Sequence, residues 1–363
     1  MNPMDDSIES LPLQVSASAS FAQLLSQYRL SVLVSTYQAG KVIVLRAEGE
    51  TLNLHFRTFP KAMGIAANSG RLAVGTLHGI QQLYNLPAVC TKLPSTLPHD
   101  ACYIPRQTHI TGDIDIHEMV WASEELWFVN TRFSCLCTLD PAYSFVPQWR
   151  PPFLNALTPD DRCHLNGLAL RDEQPTYITA LASSNEPQGW REQRTQGGIL
   201  MDIRHNEVIT GGLSMPHSPR WYQDKLWVLE SGRGTLVQVD DRTGQRVDVA
   251  QFSGFTRGLD FWQHWAFVGL SQVRQSMVFG GLPLTERLTP DERFCGLQVV
   301  NLNTGQIEAY LKFESGVQEI FAVQVLPGIC FPEILPNDDP LVGTSYSLSP
   351  EGLSQVPDYL RQE

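Results

Sequence analysis

The sequence predicts an all-β fold, a six-bladed β-propeller closed into a ring, and three observations carry that expectation. From about residue 30 to 330 the chain is a succession of short runs rich in Val, Ile, Leu, Phe and Trp, separated by Gly, Asn, Asp and Pro turns. One strand type recurs six times, as SVLVST at 31, RLAVGT at 71, ELWFVN at 125, TYITALAS at 176, KLWVLES at 225 and WAFVGLS at 265. The starts lie roughly 40 to 54 residues apart, which suits a four-stranded blade with variable loops. Five of the six have a candidate innermost strand upstream: KAMGIAA, IHEMVWA, HLNGLAL, SPRWYQ and TRGLDFW. The first has none, whereas QEIFAVQVLPG at 318–328 is an inner strand without a blade. Pairing the two closes the ring and leaves no sheet edge open.

Taken in order, residues 1–30 read as a polar leader and one helix: SASAS supplies the cap, and Phe21, Leu24, Leu25 and Tyr28 share a face. Residues 31–330 form the propeller, whose first blade combines SVLVST, KVIVLRA and TLNLHFRTF with the last inner strand. A β-sandwich of short strands is the competing architecture. Segments 86–113, 141–163, 185–197 and 273–295 exceed ordinary connections and read as rim loops or lids, with Trp149 and Trp190 as contact area. Residues 331–363 read as a polar C-terminal tail.

Composition removes several function classes. A hydrophobic content of 42% with 18% charged residues is globular, and a formal charge of −12 argues against nucleic-acid and acidic-membrane partners. The acidic start MNPMDDSIES is no secretory signal, and no window approaches a membrane helix. Seven scattered cysteines then read as reduced thiols, and the expected location is the cytoplasm. GGIL and SGRG lack the GKS or helix of a phosphate loop, so no nucleotide cofactor is expected. Ser231 has no nucleophile-elbow setting, and Cys163 and His164, adjacent in a strand, point to opposite faces.

The functional expectation comes from strand polarity. In an up-and-down blade the start of the inner strand and the end of the second strand lie at the same mouth of the channel. That rule gathers His117, Glu118, Asn130, Arg132, His164, Asn166, His217, Arg220, Glu230, Arg233, Arg257, Arg274 and Glu319. A concave mouth with converging polar groups is a ligand site. His117, His164 and His217 begin the inner strands of three consecutive blades and could hold a divalent transition metal, zinc first among them; each could equally bond a loop carbonyl or carboxylate. Glu118 or Glu319 would move protons, and the arginines would bind a small anionic or peptide-like ligand or pair internally with glutamates. The resulting expectation is a metal-dependent lyase or hydrolase, with a non-catalytic ligand- or protein-binding module as the alternative.

DIDIHEMVW, CHLNGLAL, MPHSPRWY, LWVLESGRG and GFTRGLDF resemble segments of a bacterial family of six-bladed propellers known as conserved hypothetical proteins. The resemblance spans about residues 20 to 330 and implies the fold without an activity. In architecture and in three inner-strand histidines the chain is more loosely similar to the zinc-dependent lyase that amidates peptides from peptidyl-hydroxyglycine. That likeness implies His117, His164 and His217 as metal ligands. Lactonase, strictosidine synthase and streptogramin lyase propellers share the architecture, and architecture alone transfers no chemistry.

Overall fold

The computed structural model describes residues 13–273 and 280–361. Six antiparallel sheets stand in sequence order around a central channel, and each inner strand lies against the next. The six recurrent sequence segments are the second strands of the six blades, including Leu30–Thr36, Glu125–Asn130 and Lys225–Glu230. Blade 1 closes the ring as the sequence predicts. Val323–Pro327 is its inner strand and pairs antiparallel with Leu30–Thr36, Val32 facing Val325.

One hydrogen bond recurs at every seam between blades and explains why the inner strands hold register. Ser35 Oγ donates to Met63 O, Thr131 Oγ1 to Leu165 O at 2.6 Å, Ser231 Oγ to Thr256 O and Ser271 Oγ to Ile320 O at 3.1 Å. At the other two seams Gly64 N donates to Ile116 O and Asn166 Nδ2 to Pro216 O, each at 3.0 Å. Gly64 allows that close approach, because a Cβ there would stand 3.2 Å from His117 O and 3.3 Å from Ile116 O. A buried carbonyl at each joint is thereby satisfied by its neighbour rather than left to water.

The ends of the chain add two strands. Gln14–Ala17 extends blade 6 beside Gln306–Ser315, and the helix Ala19–Tyr28 then buries Phe21, Leu24 and Leu25 over the seam of blades 6 and 1. Ser18 occupies the N-cap position without a side-chain cap bond; its Oγ accepts instead from Tyr310 N at 3.0 Å. At the other end Pro332–Ile334, within the segment expected to be a polar tail, pairs in parallel with Ala101–Ile110 and makes a fifth strand of blade 2. Arg46 clamps it from blade 1, donating to Pro332 O at 2.6 Å with its guanidinium 4.2 Å from the Phe331 ring centroid.

Two segments expected to be long loops contain outer strands, Ala101–Ile110 and Tyr143–Trp149. Each carries a proline, Pro105 or Pro147, seated where the pairing register shifts. A bulge on an outer strand is where a sheet tolerates a residue with no N–H to donate. Among the described residues no helix is long and apolar enough to cross a membrane.

Candidate functional site

The histidine positions follow from the backbone just before each inner strand. Asp115 and Met215 adopt left-handed φ values of 54° and 47°, which turn their carbonyls back onto the rings of His117 and His217. His117 Nδ1 lies 3.0 Å from Asp115 O and 2.8 Å from Thr131 Oγ1; His217 Nδ1 lies 2.9 Å from both Met215 O and Ser231 Oγ. Thr131 and Ser231 already donate their only protons across the seams, so each hydroxyl accepts from the ring. The proton therefore sits on Nδ1 in both histidines, and Nε2 keeps a lone pair.

His164 is built differently. It precedes its inner strand with φ 51°, and its Nδ1 lies 2.9 and 3.1 Å from the Asp161 carboxylate oxygens. Trp190 Nε1 donates to Asp161 Oδ2 at 2.9 Å, and the Trp190 ring lies 4.4 Å from that of His164. The rings of His117 and His164 meet edge to face at 4.8 Å, whereas His217 packs against Phe255 at 5.7 Å. Among the described residues the Nε2 atoms of all three lack a hydrogen-bond partner.

Arg257 stands beside this group. Its guanidinium stacks on Phe321 at 3.6 Å, its Nη2 is buried without a partner, and no carboxylate lies within ion-pair distance among the described residues. Burial pushes its pKa down to about 10 despite nearby Tyr37, Glu319 and Glu118. A small open hollow borders it, lined also by Tyr37, Phe255, Gln272 and Glu319. Burial, followed by the Arg257 charge, holds the pKa of His117 and His217 well below the usual imidazole value.

The other expected site residues are committed elsewhere. Arg220 spans the channel to Glu118 with two bonds of 3.1 and 3.2 Å. Arg233 is held by Glu230 at 2.9 Å and by Asp248, and Glu230 also accepts from Ser214 N at 3.0 Å. Arg132 pairs with Asp113 at 3.1 Å and Asp115 at 3.6 Å. Asn130 accepts from Phe133 N in the turn after its strand, and Asn166 joins Thr179 to Pro216. Arg274 lies outside the described residues. The expected cluster of free arginines thus narrows to Arg257, because every other described member has an internal carboxylate. Thr131, Ser231, Asp161 and Phe321 complete the site and were not anticipated. The first two stand 14 positions after their histidines, a register visible once two blades are aligned.

Anchoring of Nδ1 is what metal-binding imidazoles require. Yet among the described residues no group of three or more His, Cys, Asp or Glu is arranged to hold a metal ion, and a guanidinium rather than a carboxylate faces His117 and His217.

Keeping two imidazoles neutral links stability to pH. With the folded pKa below the unfolded value, the unfolded chain takes up protons first, so stability present above about pH 6.5 is lost as pH falls. The slope reaches about 1.4 kcal/mol per pH unit for each histidine. Urea melts at pH 7.5 and 5.5 should show this loss, and His217→Gln should reduce it by about half; an unchanged slope would contradict the assignment.

Fold and site together define a six-bladed propeller with a histidine and arginine pocket at one channel mouth. Residues 19–335 match the model of the family described as Domain of unknown function (DUF4915), and the chain belongs to that family. No match is found among curated proteins. A chain in a crystal structure of a nidogen/laminin complex superposes with a TM-score of 0.55 at 9% identity, covering 83% of this chain and 100% of that one. Since 337 solved chains match in this way, the likeness speaks for the architecture and not for an activity.

Proposed function

We propose that the protein is an enzyme, a lyase or hydrolase in reaction class, whose channel mouth takes a small carboxylate-bearing ligand. The observation that supports this reading is Arg257, a guanidinium with a buried and unpartnered Nη2 beside an open cavity. A buried cation without a counter-charge is costly, and a ligand carboxylate would supply both the charge and the acceptors. The side chains would then handle protons: Asp161 orients His164, and Glu319 at the cavity wall offers a second group that can move a proton. All seven cysteines are free thiols, which favours a reducing cytoplasmic setting.

Small carboxylates at about a hundred times their dissociation constant should stabilise the wild type by roughly 2.7 kcal/mol. Arg257→Gln should fold and lose that response, and proton NMR of the incubated ligand would report turnover. Binding without conversion would leave a non-catalytic binding module. Near-stoichiometric zinc in protein purified without chelators would replace the Arg257-centred reading with a metal-centred one.

A further inference from the structure

We propose that the ligand of this pocket is a hydroxycarboxylate, held by its carboxylate at Arg257 and by its hydroxyl protons at the imidazole Nε2 atoms of His117 and His217. The inference rests on Arg257 as the carboxylate anchor and adds what the other end of the ligand must carry. The side chains divide sharply by hydrogen-bonding capacity. Arg257 can only donate. His117 and His217, with their protons fixed on Nδ1 by Asp115 O and Thr131 and by Met215 O and Ser231, can only accept. A complementary ligand therefore presents acceptors at one end and donors at the other.

This division excludes simpler anions. Acetate and other plain carboxylates would satisfy the guanidinium and set the imidazole lone pairs against methyl or methylene groups, while fully ionised sulfate has no proton to offer. Unmet polar groups of this kind discriminate strongly between a hydroxylated ligand and its deoxy analogue. An α-amino acid has donors, but they carry a positive charge. The field of Arg257 that disfavours protonation of His117 and His217 would act equally against an ammonium group placed on their Nε2 atoms. Neutral hydroxyls meet the same lone pairs without that cost.

The test is a calorimetric and thermal-shift series on the full chain with glycerate and gluconate, their deoxy counterparts propionate and hexanoate, and serine. The hydroxylated acids should bind, the deoxy acids about tenfold or more weakly, and serine weakly as well. Two-bond proton–nitrogen NMR should show the Nε2 resonances of His117 and His217 shifting on addition of glycerate while Nδ1 keeps its proton. Propionate binding as tightly as glycerate would overturn the inference and leave Arg257 as a carboxylate anchor, and serine binding more tightly than glycerate would overturn it in favour of a zwitterion. If none of the five acids binds, the Arg257 reading fails together with the inference.

Discussion

Truncation after residue 315 is expected to abolish cooperative folding. It removes Val323–Pro327, and with it the buried Val323, Val325 and Leu326 and the whole of the pairing to Leu30–Thr36. Blade 1 would be left with three strands. The exposed flanks belong to two separate core clusters, since Val323 and Val325 pack with the helix and blade 6 while Leu326 packs with blade 2. Loss of a strand that serves three sheets exposes apolar surface on each and opens an edge competent for aggregation. The truncated chain should be recovered insoluble or show no sigmoidal melt. A soluble fragment with a single sharp transition would mean that the ring does not depend on its closing strand.

Arg220→Met is expected to destabilise the protein by about 3 to 5 kcal/mol, the usual cost of leaving one member of a buried ion pair alone. The Glu118 side chain is 6% exposed, and burial already raises its pKa against the opposing influence of Arg220. Without the guanidinium the carboxylate must either stay charged in the channel or take up a proton. Adding Glu118→Gln should recover most of the loss, because an amide needs no counter-charge. Urea unfolding of the single and double variants checks this. A single variant as stable as wild type would show that solvent, not Arg220, satisfies Glu118.

The architecture was legible because the repeat is a property of short sequence windows. ELWFVN and KLWVLES alternate in the same way and sit the same distance before their turns. What escaped was structure at the outer strands, where Pro105 and Pro147 break the strand signature and a bulge absorbs the break. The strands at the chain ends escaped too, since Gln14–Ala17 and Pro332–Ile334 are too short to show a period. At the site, the histidines and Arg257 were legible as residues entering inner strands. Which arginines would be free was not, because Asp248, which helps to neutralise Arg233, lies on an outer strand whose approach only the fold determines.

The composite first blade also sets a timetable for biogenesis. Blades 3 to 5 pair strands that are neighbours in the chain, and each can assemble as soon as its own segment has left the ribosome. Leu30–Thr36 is among the first strands synthesised, yet its inner partner Val323–Pro327 follows only after the sixth blade has been translated. Throughout that interval the nascent chain carries near its start a mostly apolar strand with one edge open, the kind of edge that chaperones shield. Maturation of the ring is therefore a late event, completed only when the final inner strand emerges and docks onto the first strands made.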